Sequence, residues 1–128
     1  MERKITSVAA LMGMTAIILG AFGAHALKKQ LSIEQLESFE TGVKYQMYHA
    51  LFLLFLGMNT FLNEKVKKTV FQLVIFGVFF FSGSIYLLTT KAITGVAFKF
   101  IGIVTPIGGV LLIMAWSILF WNVWRAKR

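Results

Sequence analysis

Cysteine is absent from the 128 residues. Disulfides, thiolate zinc sites, iron–sulfur clusters and cysteine nucleophiles are therefore excluded. Charge is scarce as well. Charged residues make up 14% of the chain, where soluble domains run near a quarter. Acidic residues number only 5, against 13 Lys and Arg. Long runs hold no Asp, Glu, Lys or Arg at all, which argues against a carboxylate proton relay, a voltage sensor or a buried site for a charged substrate. Paired carboxylates for acid–base hydrolysis are missing from those runs too. No phosphate-binding glycine loop, G-x-S-x-G or H-E-x-x-H motif occurs. Gly20 and Gly23 do not make a nucleotide loop, because they lie inside an apolar run.

What the chain does have is apolar mass. Hydrophobic residues make up 58%, with 13 Phe and 11 Gly, and the mean hydropathy is +0.78. A single domain of this size has too much surface to hide so many apolar side chains from water. The composition therefore points to a small integral membrane protein. Four charge-free runs locate its spans: Ile5–Leu27, Tyr45–Leu62, Val70–Thr90 and Pro106–Trp124. As helices they would be about 27 to 35 Å long, enough to cross a hydrocarbon core. The runs lack the period-2 alternation of a membrane barrel, and four strands cannot close one. The expected fold is all-α, an integral membrane four-helix bundle forming one domain.

The charges then choose an orientation. Arg3, Lys4, Lys65, Lys67, Lys68, Arg125, Lys127 and Arg128 fall on one face with Glu2 and Glu64, a net of +6. Lys28, Lys29, Lys44, Lys91 and Lys99 fall on the other with Glu34, Glu37 and Glu40, a net of +2. The positive-inside rule predicts that both termini are cytoplasmic. The basic residues would meet anionic lipid headgroups at that face. No basic stripe interleaves with stacking aromatics, so the net charge of +8 does not imply nucleic acid. Trp121 and Trp124 before Arg125 form an interfacial anchor, and Trp116 reads as packing. Thr105 is the expected N-cap of the last span, with Pro106 at its first helical position. A cleaved signal peptide ending near Ala24-His25-Ala26 is disfavoured, because the uncharged run before it is too long for one.

Residues 28–44 are the one polar segment of any length. Leu31-Ser32-Ile33-Glu34-Gln35-Leu36 carries a helix start, with Ser32 as N-cap, Gln35 closing a capping box and Leu31 stapling to Leu36. Ile33, Leu36, Phe39 and Val43 line one face, while Glu34, Glu37, Thr41 and Lys44 line the other. The expectation is a short amphipathic helix on the outer surface, floating its apolar face in the interface and running into the second span. The turn Asn63–Thr69 is short and polar. The stretch Lys91–Thr105 is apolar yet broken by glycine. Its backbone must be hydrogen-bonded or lie at the interface.

Two sets of residues stand out within the spans. Ala16, Gly20 and Ala24 recur every four positions, and Gly57, Gly83, Gly108 and Gly109 add small residues to the other spans. Such stripes let helix backbones approach where lipid supplies no hydrophobic drive. The second set is polar. His25 and His49 would lie within roughly 6 Å of each other in depth if the first two spans share an outer boundary. Tyr45, Tyr48 and His49 share a face, with Gln46 beside them. An interhelical hydrogen-bond cluster is the favoured reading. Proton sensing and a metal or haem held by the two imidazoles are the alternatives. Asn59, Gln72, Ser82, Ser84 and Tyr86 read as helix–helix glue.

Four motifs come in order: Gly20-Ala21-Phe22-Gly23-Ala24-His25-Ala26-Leu27, Tyr45-Gln46-Met47-Tyr48-His49-Ala50-Leu51, Phe81-Ser82-Gly83-Ser84-Ile85-Tyr86, and Thr105-Pro106-Ile107-Gly108-Gly109. Together they resemble uncharacterised protein family 0382, also known as domain of unknown function 423, a group of small bacterial multi-pass membrane proteins. Ala115-Trp116-Ser117 departs from the Gly-Trp expected there. The resemblance implies a cell-membrane protein of four helices with no assigned activity. It also draws attention to His25, Tyr45, Gln46 and His49, which lie in its motifs. The leading expectation is a non-enzymatic protein without a cofactor, supporting membrane integrity or serving as an accessory or scaffold to a membrane-protein partner. The alternatives are a homo-oligomeric transporter or channel for small solutes, and a haem, metal or quinone redox module using His25 and His49.

Overall fold

The computed structural model describes residues 2–90 and 101–126, and every element in them is helical. Helix α1 spans Glu2–Phe22 and continues as a π-helical turn, Gly23–Leu27. Helix α2 spans Ile33–Met58, α3 spans Glu64–Thr89, and α4 spans Ile101–Arg125. Neighbours in sequence pack side by side, α1 on α2, α2 on α3 and α3 on α4. The stretch 91–100 and residues 127–128 lie outside the described residues, and so do most of the glycine-broken connection and the basic pair at the C-terminus.

The helix ends follow from local hydrogen bonding. Ser32 is extended, its hydroxyl accepts from the Gln35 amide at 3.1 Å, and the Gln35 side chain accepts from the Ser32 amide at 3.0 Å. This is the capping box read from the sequence. At the other end, Asn59 leaves helical geometry, and its Oδ1 accepts from the Phe61 and Leu62 amides at 2.8 and 3.0 Å. A side-chain oxygen that competes for backbone donors ends a helix. Asn59 therefore shapes a turn and is not glue between spans, and the second helix stops at Met58, short of Leu62. Asn63 then caps α3 by accepting from the Val66 amide at 2.9 Å.

Residues 33–44 start at the expected Ser32 cap and run into the rest of α2 as one helix. What the sequence did not reveal is how they pack. A Cβ built on Gly23 would meet the Phe39 ring at 2.9 Å, one on Gly20 would meet Val43 at 3.5 Å, and one on Gly13 would meet Ala50 at 3.8 Å. Further along, a Cβ on Gly57 would meet Thr6 at 2.5 Å. Thus α2 lies antiparallel against α1 along its whole length. Ile33, expected on the apolar face, is 78% exposed. Phe39 is buried with Leu27 and Leu31, against Leu36, Val43 and Tyr86.

Among the described residues, three stretches are long and apolar enough to cross a membrane: Glu2–Leu27, Glu64–Thr89 and Gly102–Arg125. Helix α2 has the length, at 26 residues. Its first half, however, carries Glu34, Glu37, Glu40 and Lys44, and Gln46 and His49 follow, so it is less apolar than the others. Four helices are present as expected, and three of them meet the length and apolarity of a membrane span. The fourth helix starts earlier than expected. Pro106 lies inside α4, so Thr105 is not its N-cap; the Thr105 hydroxyl instead meets the Ser84 hydroxyl on α3 at 2.5 Å.

The main core draws on all four helices. Ile5, Ala9, Leu53, Leu56, Val70, Val74, Leu112 and Ala115 form it with their neighbours. At the end that carries Glu2 and Arg125, Lys67 is buried and its ammonium lies 3.4 Å from the Glu2 carboxylate. Lys67 is therefore not free to meet a headgroup. Arg125 stacks over the Trp121 ring at 5.5 Å, as a cation over an aromatic face does.

Candidate functional site

The buried polar side chains of α2 sit on one face. Gln46 and His49 are three residues apart and both are buried, 7% and 4% exposed. Residues at this spacing lie one above the other on a helix. Tyr45 and Tyr48 belong to a different face, 40% and 53% exposed. The expected grouping of Tyr45, Tyr48 and His49 with Gln46 beside them is therefore split. Gln46 and His49 turn inward. Tyr45 packs its ring 4.8 Å from Phe81, and Tyr48 stays outward against Tyr45.

Gln46 joins three helices. Its Nε2 donates to the Met12 carbonyl at 3.0 Å and to the Thr15 hydroxyl at 2.7 Å, both on α1. Its Oε1 accepts from the Tyr86 hydroxyl on α3 at 2.7 Å. Thr15 passes its own proton back to the α1 carbonyls of Leu11 or Met12. One turn earlier on α2, the Gly42 carbonyl accepts from the Ser82 hydroxyl at 2.7 Å. Gly42 has no side chain because Tyr86 occupies the space; a Cβ there would meet that ring at 2.9 Å.

His49 extends the layer to α4. The Trp116 indole Nε1 donates to His49 Nε2 at 3.1 Å, and His49 Nδ1 lies 2.7 Å from the Tyr45 carbonyl. A carbonyl only accepts and an indole N–H only donates. The partners therefore fix the tautomer: Nδ1 carries the proton and Nε2 offers its lone pair. Phe52 closes the group edge-on against Trp116, with ring centroids 4.4 Å apart. No buried side-chain polar atom among the described residues lacks a partner.

His25 does not join this layer. It lies in the π-helical turn and is exposed. Gly13 is the residue of α1 level with Ala50, so Met14 is level with His49, and His25 stands eleven residues, roughly 16 Å, beyond that depth. The closer pairing expected from the sequence took Tyr45 as the outer boundary of the second span. The helix packs on α1 from its start near Ile33, and these twelve residues displace His49 toward the other end. The two imidazoles therefore cannot ligate one haem or metal. Among the described residues, no three His, Asp or Glu come together as a metal-ligand group.

The small residues divide in the same way. Ala16 is buried, and Gly20 faces Val43 while Gly57 faces Thr6 and Ile5. A Cβ on Gly108 would fall on the Phe81 backbone nitrogen and lie 2.8 Å from the Gly77 carbonyl, and one on Gly109 would sit 3.8 Å from the Phe81 ring. Ala24 is exposed, and a Cβ on Gly83 would meet nothing within 4 Å. Gln72, expected as glue, is exposed.

Sequence reasoning missed Thr15 and undervalued Trp116. A hydroxyl in the middle of an apolar run is itself a signal, since a polar group there needs a partner. Trp116 carried the same signal in its N–H. An open groove of about 720 Å³ lies beside it, between Phe55 of α2 and Leu119, Phe120, Val123 and Trp124 of α4. Its walls offer apolar contact.

Comparison with known proteins comes down on one family. The family model described as protein of unknown function (DUF423) matches residues 19–109. The UPF0382 membrane protein SSP2132 of Staphylococcus saprophyticus is 44% identical over 110 residues, covering 86% of this chain and 88% of its own. A UPF0382 membrane protein of Haemophilus influenzae is 31% identical over 127 residues, 99% of this chain and 98% of its own. The UPF0382 inner membrane protein YgdD of Escherichia coli is 32% identical over 130 residues, 99% of this chain and 94% of its own. No solved structure matches.

Proposed function

Because the chain belongs to the DUF423 (UPF0382) family and is a multi-pass protein of the cell membrane, we propose that it is a non-enzymatic accessory or scaffold protein. In this reading all four helices cross the bilayer and both termini face the cytoplasm. The antiparallel contact of α2 along the whole of α1 supports α2 as the fourth span. The excess of Lys and Arg at the end bearing Glu2 and Arg125 supports the orientation. Arg3, Lys4, Lys65 and Lys68 at that end suit anionic headgroups.

One observation carries the functional reading. The buried polar side chains of the central layer are engaged with one another and with backbone carbonyls. Gln46 uses both amide atoms between helices, and His49 uses both ring nitrogens. A ligand to Nε2 must displace the Trp116 indole. Such a layer holds helices in register and leaves no free nucleophile, base or ligand.

The test is a double variant, His49→Phe with Trp116→Phe. Replacing both partners of a buried hydrogen bond by apolar rings of similar shape is nearly neutral to folding. In a deletion strain, the scaffold reading expects the double variant to restore detergent resistance of the envelope as well as the natural chain does, at equal membrane levels. Loss of that rescue with normal levels would give His49 a chemical role and overturn the proposal.

A further inference from the structure

Seven residues of α2 recur at alternating spacings of four and three: Glu37, Thr41, Lys44, Tyr48, Leu51, Phe55 and Met58. All seven are exposed, in one unbroken line down the helix. This is the spacing of a seam between two helices that wind around each other with a left-handed twist. None of the described helices covers it.

The seam is also the wrong chemistry for lipid. Val43 sits against Gly20, so Lys44 lies level with the middle of the apolar run of α1, about 10 Å inside its Leu27 end. At the same depth α1 exposes Ile17 and Ile18, which suit hydrocarbon. The outward faces of α3 and α4 are likewise apolar, as at Phe76, Phe79, Ile107 and Ile113. Charged side chains within the spans are costly unless paired or in contact with water. Yet Lys44 and the flanking Glu40 have no ion-pair partner: the ion pair among the described residues is Lys67 with Glu2.

We propose that this face of α2 is the interface between two copies of the chain, paired about a two-fold axis normal to the membrane. The symmetry sets α2 parallel to its copy, and identical residues of the seam meet near the axis. Glu40 and Lys44 are one helical turn apart, so the carboxylate of each copy reaches the ammonium of the other. Glu40 flanks the seam, and its carboxylates offset the approach of the two Lys44 ammoniums across the axis, which a lipid chain cannot do. Its other half, Leu51, Phe55 and Met58, packs as ordinary apolar knobs. The inference rests on the reading of α2 as a membrane span.

The chain has no natural cysteine, so single-cysteine variants of the full protein in native membranes report cleanly. On mild oxidation Thr41→Cys and Tyr48→Cys are expected to form disulfide-linked dimers. Phe79→Cys, on the outward face of α3, is expected to stay monomeric. In the Thr41→Cys background, Lys44→Glu is expected to lower the dimer fraction roughly tenfold, and Glu40→Lys with Lys44→Glu to restore it. Monodisperse elution in detergent checks that each variant folds. If Thr41→Cys neither cross-links nor reacts with a membrane-impermeant maleimide, the seam faces lipid and the dimer is overturned, while the span stands. If it reacts with that maleimide and does not cross-link, both fall. Equal cross-linking of Phe79→Cys and Thr41→Cys, or a dimer indifferent to the charge swap, overturns the seam. None of these outcomes bears on the rescue by the His49–Trp116 variant, which is read separately.

Discussion

Where α3 meets α4, two glycines bring backbone to backbone; where α2 meets α1 and α3, side-chain hydrogen bonds do the joining. At the first contact Gly108 leaves no room between its own chain and Phe81, and Gly77 faces Leu112 so closely that a Cβ would lie 2.6 Å from its methyl. At the second, Gln46 alone reaches Met12, Thr15 and Tyr86. Lipid gives helices no hydrophobic reason to associate, which leaves close van der Waals contact and interhelical hydrogen bonds. This chain weights the two means differently: Gly108 meets backbone across α3–α4, whereas the close glycines of α1 and α2 meet mainly side chains and the Gln46 bonds reach across three helices. Close contact tolerates no added atom, whereas a hydrogen-bonded layer loses strength one bond at a time. Substitutions at the two places should therefore differ in kind as well as in size.

The largest expected effect is at Gly108. In Gly108→Ala the new methyl falls on the Phe81 amide nitrogen and lies 2.9 Å from the Phe80 carbonyl carbon. Backbone cannot yield as a flexible side chain does, so α4 must move away from α3. Overpacking of this kind costs about 3 kcal/mol, and a marked fall in thermal unfolding temperature in detergent should follow. An unchanged unfolding temperature would show that the α3–α4 contact is looser than described.

Gln46→Leu comes next. It removes three interhelical hydrogen bonds, and at roughly 0.6 kcal/mol each it should cost about 2 kcal/mol. Tyr86→Phe removes one of the three and should cost about a third as much. These graded losses are the signature of a layer held by separate bonds. Equal losses for the two variants, measured by reversible unfolding in bicelles, would mean that the layer acts as one unit and that its polar groups strengthen one another.

Much of this architecture was legible in the sequence because apolar length and capping chemistry are local. The Ser32–Gln35 capping box needs only four residues to specify it, and the three most apolar helices follow from hydropathy alone. The start of α2 was read correctly, but its first half was placed on the outer surface because Glu34, Glu37, Glu40 and Lys44 look like the residues of a surface helix. Their helix is instead held by Phe39 against Gly23 and by Gly42 against Tyr86, contacts between residues far apart in the chain. The same error brought His25 level with His49. Polar groups within the apolar runs signalled a layer, but which partners they choose depends on helix register. So Trp116 read as packing, although its N–H meets His49. Gly83 shows the converse. It sits in a motif and in an apolar run, yet none of the described residues comes within 4 Å of a Cβ built there.

The His49–Trp116 bond sharpens the comparison at a finer scale. A double-mutant cycle of His49→Phe and Trp116→Phe should return a coupling of about 0.6 kcal/mol, the size of one interhelical bond in lipid. A coupling near zero would mean that the contact of Trp116 with Phe52 holds α4 there and the hydrogen bond adds nothing.

Gly83→Ala should have the smallest effect, and its sign is informative. It repeats on α3 the chemical change that is so costly at Gly108, but a Cβ there meets nothing within 4 Å. With no contact to lose, only the backbone term remains. Alanine restricts the unfolded chain more than glycine and is the better helix former, so the variant should be more stable by about 0.5 kcal/mol. The pair of Gly→Ala variants thus separates geometry from propensity, since propensity favours both and geometry opposes one. If Gly83→Ala also destabilises the protein by more than about 1 kcal/mol, then Gly83 lies against something the single chain does not contain. The same variant should then shift the mobility of the native protein on a blue-native gel.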